Sequence, residues 1–140
     1  MSNLEFSNNG LIDSLTHVPA PAVFLSSLSR EHAGAARDSR TLSILSIRPT
    51  NSSTLTELQL ISMARTIVSH LRSGEFFSRI SEDGYWIAVR GDKSSASKLS
   101  ERILGQSLKG KWRTSIIECA PSQSLEKWLS LSDQTHFSIS

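Results

Sequence analysis

The sequence predicts a single α+β domain in which helices are interspersed with strands, two of which form a hairpin. Apolar residues recur at three- to four-residue spacing in several stretches, as they do in amphipathic helices. Two segments rich in branched and aromatic residues flank Asp83-Gly84, a dipeptide typical of a tight hairpin turn. The length, 140 residues, suits one domain with a real core. The predicted element order is helix, strand, helix, hairpin, helix, strand, helix.

The first helix is predicted to begin at Pro21, because a proline in the first turn sacrifices no needed hydrogen bond. The apolar stripe of this first helix is predicted to contain Phe24, Leu25, Leu28, Ala35 and Ala36.

A strand is predicted after the first helix. Residues 41–47 form a compact apolar run between Arg40 and Pro49, which is typical of a central strand.

The second helix is predicted to begin with a capping box. Ser53 or Thr54 can cap it, and Glu57 lies three residues after Thr54, where its carboxylate can reach back to the cap. The apolar face of this helix is predicted to consist of Leu58, Ile61, Ala64, Ile67, Val68 and Leu71.

Three elements are predicted after the hairpin. Asp92 or Ser94 is predicted to cap a third helix over residues 93–106. A strand beginning at Trp112 follows, and a short helix over residues 125–129 has Ser122 as its predicted cap.

Composition excludes several classes of protein. The 15 basic and 13 acidic residues are scattered, so a nucleic-acid partner is not predicted. No apolar run approaches the roughly 20 residues that span a bilayer, and no basic-then-apolar leader is present, so we expect a cytoplasmic protein without a membrane partner. Cys119 lies in an apolar run and is predicted to be a core residue. His17 and His32 have no second ligand at metal-binding spacing.

At the hairpin, Ser81-Glu82-Asp83-Gly84-Tyr85, preceded by Arg79, resembles the motif of the GGDEF family, the catalytic domains of diguanylate cyclases. One acidic position and the aromatic character are kept, while both glycines and the second acid are not. Residues 13–21, Asp-Ser-Leu-Thr-His-Val-Pro-Ala-Pro, are similar to the family's opening Asp-x-Leu-Thr-Gly-Leu-Pro-Asn-Arg. The sequence is therefore identified as a degenerate GGDEF-like domain.

The resemblance implies the nucleotidyl-cyclase-like fold, a ferredoxin-related α+β sandwich with an antiparallel-dominated central sheet and helices packed on it. It divides the chain into an N-terminal extension, residues 1–12, and the degenerate GGDEF domain, residues 13–140. The domain stops short of the family's C-terminal segment, whose basic residues hold substrate phosphates.

The resemblance also implies that the catalytic machinery is missing. In the family the first strand ends in Asp-x-Asp, whose first Asp binds magnesium, whereas this chain has Ser46-Ile47-Arg48-Pro49. A hard divalent ion needs anionic oxygen ligands and would be repelled by Arg48. The guanine pocket is also incomplete, although Glu57 matches an acidic guanine contact. We therefore expect no catalytic residue, no metal and no cofactor, with Glu82 and Asp83 as solvated turn residues.

A second family site is partly kept. Arg72 and Glu75 are in register with the family's product-inhibition site, Arg-x-x-Asp, and Arg79 precedes the hairpin motif. A guanidinium can bind phosphate or guanine, and a carboxylate can accept the guanine N–H groups. The alternative is a helix end, with Arg72 near the C-terminus and Gly74 as the cap residue.

Two functions follow from these patterns. In the first, the chain is a catalytically inactive regulatory module in bacterial signalling that binds a protein partner, with the Tyr85-Trp86 hairpin, Trp112 or Trp128 as anchors. Each tryptophan can alternatively be a core residue. In the second, the chain is a cyclic di-GMP receptor that uses Arg72, Glu75 and Arg79. Residual diguanylate cyclase activity is a third alternative.

Overall fold

The computed structural model describes residues 4–138, which contain four strands and four α-helices. The strands are β1 (Leu42–Pro49), β2 (Phe76–Ser81), β3 (Gly84–Val89) and β4 (Trp112–Cys119), and the helices are α1 (Pro21–Arg37), α2 (Glu57–His70), α3 (Lys93–Leu104) and α4 (Leu125–Ser138). The strands form one antiparallel sheet in the order β2-β3-β1-β4, so that β1 is central and β4 is an edge strand. The predicted α+β class and element order are confirmed.

Helices cover both faces of the sheet, because both faces are apolar. On one face, α2 and α3 bury the core cluster that includes Leu45, Ile47 and Ile87. On the other face, α1 and α4 enclose a second cluster around Ile44 and Trp128. Within the sheet, Ile44 lies opposite Ala88 on β3 and Ile117 on β4. No helix among residues 4–138 combines the length and apolar character that crossing a bilayer requires.

The start of α2 differs from the prediction. Thr56, not Ser53 or Thr54, is the N-cap: its hydroxyl accepts from the amide of Gln59, whose side chain in turn accepts from the amide of Thr56. Ser53 and Thr54 instead belong to a short 3₁₀ turn, Ser52–Thr54. The predicted capping box with Glu57 was therefore wrong by two residues, because the 3₁₀ turn delays the helix.

The predicted apolar face of α2 was also partly wrong. Its buried residues are Leu60, Met63, Ala64 and Ile67, while Leu58 is 79% and Val68 57% exposed. The helix thus turns a face centred between residues 60 and 67 towards the sheet, and residues 58 and 68 lie outside it. In α1, Phe24, Leu28 and Ala35 are buried as predicted, but Leu25 and Ala36 are exposed.

The predictions for the other helix ends were correct for α1 and α3 and incorrect for α4. Pro21 begins α1, and the Asp92 side chain caps α3, as predicted. The last helix has 14 residues rather than five, and the hydroxyl of Ser124, not Ser122, accepts from the amide of Lys127 at its start. Ser132 and His136 continue the buried stripe that Trp128 begins, which is why the helix extends beyond residue 129.

The aromatic residues predicted as partner anchors belong to the core. Trp86, Trp112 and Trp128 are 4%, 6% and 0% exposed. The Trp128 Nε1–H donates to the Ile117 carbonyl at 2.9 Å, and the Tyr85 hydroxyl donates to the Leu60 carbonyl at 2.7 Å. The anchor hypothesis is wrong because the two covered faces of the sheet enclose these side chains; Cys119, 3% exposed, is a core residue as predicted.

Candidate functional site

The turn between β2 and β3 carries the motif that resembles the GGDEF pentad. Ser81 ends β2, Glu82 and Asp83 form the turn, and Gly84 begins β3. Glu82 is exposed, but Asp83 is only 8% exposed, so the expectation of a solvated Asp83 was wrong. The pairing of β1 with β3 places Ile47 opposite Tyr85 and thereby brings the end of β1 beside the turn.

Arg48, near the end of β1, forms an ion pair with Asp83. Its Nη2 lies 3.4 Å from the Asp83 carboxylate, and its Nη1 donates to the His136 backbone carbonyl at 2.7 Å. The guanidinium also lies 5.9 Å from the centre of the Phe137 ring. A fixed cation therefore neutralises the carboxylate of the turn and connects it to the end of α4.

His136 lies at the centre of a buried hydrogen-bond network. Its Nδ1 is bonded to the Ser46 hydroxyl, and its Nε2 lies 2.9 Å from the Ser81 hydroxyl. Burial lowers the pKa of His136 to about 4, and the nearby Arg48 contributes in the same direction. The imidazole is therefore neutral at physiological pH, with one nitrogen donating and the other accepting.

Gly84 makes this close packing possible. A Cβ atom at position 84 would lie 2.6 Å from the Cε1 atom of His136, which is closer than non-bonded atoms approach. The His136 ring also meets the Trp86 ring edge-on at 6.0 Å. Sequence reasoning missed His136, although its four-residue spacing from Ser132 and Trp128 was a signal that the helix continues.

Arg79 and Asp13 form a second, fully buried ion pair next to the turn. The Arg79 Nη1 lies 3.3 Å from the Asp13 carboxylate, and their side chains are 0% and 1% exposed. The Nε and Nη2 of Arg79 donate to the Glu82 carbonyl at 3.2 and 2.6 Å. Asp13 also accepts from the amide and hydroxyl of Thr16 at 2.8 and 2.7 Å. The two stretches that resemble the family, residues 13–21 and the hairpin, are thus joined by this pair.

Arg72 and Glu75 lie at the other end of β2. The six residues of β2 separate them from the hairpin turn by roughly 20 Å. A Glu75 carboxylate oxygen accepts from the Arg72 amide at 2.9 Å, and the Glu75 amide donates to the Arg72 carbonyl at 3.0 Å. Gly74 has a φ of +85°, a conformation that favours glycine. The structure therefore places Arg79 with the hairpin turn, and Arg72 and Glu75 apart from it.

The polar side chains at the turn are bonded to one another. Magnesium prefers carboxylate and water oxygens in octahedral geometry. Here Asp83 is paired with Arg48, and Ser46 and Ser81 are bonded to His136. Among residues 4–138, no group of three His, Cys, Asp or Glu residues is arranged to hold a metal ion.

The fold defined by these elements is that of a GGDEF domain of diguanylate cyclases. No protein-family profile matches the sequence, and no curated protein matches it by sequence. The resemblance is therefore one of structure.

Three solved structures show this likeness. One is diguanylate cyclase SiaD of Pseudomonas aeruginosa, solved in complex with its activator SiaC. It is 14% identical to this chain, with a TM-score of 0.79 over 91% of this chain, and this chain spans 56% of the SiaD chain. The GGDEF domain of DgcB from Caulobacter crescentus, in complex with c-di-GMP, is 15% identical, with a TM-score of 0.75 over 96% of this chain and 92% of that one. A diguanylate cyclase protein from Thermotoga maritima is 24% identical, with a TM-score of 0.68 over 86% of this chain and 96% of that one.

Proposed function

We propose that this chain is a catalytically inactive, degenerate GGDEF-like domain that acts in the bacterial cytoplasm as a regulatory protein-interaction module. The observation that carries the proposal is the Arg48–Asp83 ion pair at the hairpin turn. A guanidinium at this position repels a divalent cation and engages the carboxylate that a cation would need. Without bound metal, the triphosphate of GTP lacks the charge neutralisation that nucleotidyl transfer requires.

The assay for this proposal is incubation with GTP and Mg²⁺, followed by chromatography of the nucleotides. We expect no cyclic di-GMP, under conditions in which an active diguanylate cyclase converts its substrate completely. Turnover by the wild-type chain that disappears in Asp83→Ala would overturn the proposal, because it would show that the turn carboxylate still serves catalysis.

A groove of about 660 Å³ lies between the start of α2 and the start of β4, and we propose it as the partner surface. Its accessible apolar lining is the half-buried Leu55 and Leu58, which is 79% exposed, whereas Met63 and Trp112 border it as core residues that are 2% and 6% exposed. Lys111 is the one charged residue that lines the groove. The occupant that fits this chemistry is an apolar segment of a protein partner with an adjacent carboxylate for Lys111.

Site-specific photocrosslinking tests the groove. A benzophenone amino acid at position 58 is expected to crosslink a protein in cells, and Lys111→Glu is expected to reduce the adduct at least about fivefold because it reverses the complementary charge. Lys109→Glu, outside the groove lining, is the matched control and should leave the adduct unchanged. Equal adducts from position 58 and from the exposed Glu101 on α3, or no effect of Lys111→Glu, would disprove this partner surface.

A second candidate function is that of a cyclic di-GMP receptor at the Arg72–Glu75 turn. The observation in its favour is that Arg72 is exposed and, within residues 4–138, its side chain forms no hydrogen bond or ion pair, while the turn itself is ordered by Glu75. The Arg79 side chain is 0% exposed and its donors are engaged by Asp13 and the Glu82 carbonyl, so this candidate site is proposed without it.

Calorimetric titration with cyclic di-GMP tests the receptor function. We expect binding by the wild-type chain that Arg72→Ala weakens at least about tenfold, the loss expected for one charge-assisted hydrogen bond. No heat at high micromolar ligand, or unchanged binding by Arg72→Ala, would rule the receptor function out.

A further inference from the structure

We propose that Arg90, oriented by Glu31 of α1, is a further phosphate-contact residue beside the Arg72–Glu75 turn. The inference rests on the receptor function proposed for that turn, and it adds a residue from the end of β3 that the sequence motif does not contain. It gives the site a second guanidinium, which suits a ligand with a phosphodiester.

The Glu31 carboxylate holds the guanidinium of Arg90 along one edge. The Nε of Arg90 donates to both Glu31 oxygens at 3.1 Å, and its Nη2 donates to Oε1 at 2.7 Å. Both carboxylates near it, Glu31 foremost and Glu75 to a smaller extent, raise the pKa of Arg90. The side chain is 50% exposed, so its remaining donors are open to solvent.

The guanidinium of Arg90 packs against Gly74 of the turn. A Cβ atom built on Gly74 would lie 2.3 Å from its Nη1, 2.5 Å from its Cζ and 2.9 Å from its Nε, so the group lies directly over the glycine. Within the described part of the chain, Nη1 makes no hydrogen bond, whereas Nε and Nη2 are both used by Glu31. Arg90 therefore brings a donor without a protein partner to the Arg72–Glu75 turn, and the Glu75 carboxylate is near enough to contribute to its raised pKa.

The chemistry of these three groups matches an anionic purine nucleotide. Arg90 and Arg72 offer two cationic donors for phosphodiester oxygens, and the Glu75 carboxylate can accept purine N–H groups. Arginine suits this position because its planar fork can bind Glu31 through one edge and a phosphate through the other, which lysine cannot do.

The experiment is calorimetric titration with cyclic di-GMP at two salt concentrations. We expect Arg90→Ala and Arg90→Lys to weaken binding about tenfold and to flatten its salt dependence, since a phosphate contact is lost. Arg30→Ala is the matched control. It removes one exposed charge from α1, and within residues 4–138 the Arg30 guanidinium donates only to the Ser26 and Ser27 hydroxyls, so this variant should bind as the wild type does.

The outcomes separate this inference from the receptor function. If the wild-type chain binds no cyclic di-GMP, the receptor function fails and the role of Arg90 fails with it. If the wild type binds and Arg72→Ala does not, but Arg90→Ala matches Arg30→Ala in affinity and salt dependence, only the role of Arg90 is disproved.

Discussion

Asp13→Ala is expected to lower the free energy of unfolding by about 3–5 kcal/mol, the cost of leaving one partner of a buried ion pair without the other. Arg79 is 0% exposed and would retain a positive charge that the Glu82 carbonyl and the Phe6 ring, whose centre lies 5.0 Å from the guanidinium, could stabilise only in part. The same change removes the carboxylate that accepts from the amide and hydroxyl of Thr16. Urea denaturation followed by tryptophan fluorescence measures the loss.

The control for this experiment is Asp38→Ala, which breaks an exposed pair with Arg40. Such surface pairs are worth roughly 0–1 kcal/mol, so this variant should unfold nearly as the wild type does. The double variant Asp13→Leu/Arg79→Met should recover much of the lost stability, since apolar replacements remove both buried charges. Equal unfolding free energies for Asp13→Ala and Asp38→Ala would show that the buried pair does not stabilise the fold.

Acidification is expected to destabilise the chain through His136. The pKa of His136 is about 4 in the folded protein, against 6.5 for an ordinary histidine. Between these values the unfolded chain binds the proton and the folded chain does not, so stability falls as the pH decreases from 6.5 towards 4. The contribution is fully present above pH 6.5, and its loss amounts to at most about 3 kcal/mol.

The measurement is the free energy of unfolding of wild type and His136→Gln from pH 7.5 to 4. Carboxylates titrate in both proteins, so their contribution cancels in the difference between the two curves. We expect that difference to change by about 2–3 kcal/mol across the window, with the wild type losing more on acidification. Parallel curves would mean that His136 is as easily protonated in the folded protein as in the unfolded one.

Local patterns were sufficient for the order of the elements and for much of the hairpin. The turn at Asp83-Gly84 follows from residues that tolerate its backbone geometry, and the run 42–49 becomes a central strand because it is apolar on both faces. The capping of α2 could not be predicted to the residue, because Ser53, Thr54 and Thr56 are all competent caps. The choice among them depends on the 3₁₀ turn that precedes the helix.

The three tryptophans show that the burial of a side chain cannot be predicted from its residue type alone. Residue type alone leaves both a partner surface and the core open for Trp86, Trp112 and Trp128. Their burial depends on helices that arrive from distant parts of the chain, so only the packed structure decides between the two.

The sequence by itself determined that Ser46-Ile47-Arg48 stands where the family it resembles has Asp-x-Asp, since residue identity at the end of β1 needs no fold to be read. The tertiary structure alone decided what that arginine does. Arg48 meets Asp83 across 35 residues, and Ser46 meets His136 across 90. Contacts over such separations are set by strand pairing and by the packing of α4 on the sheet. The spacing of residues along the chain can signal a helix, but it does not show which distant residues that helix meets.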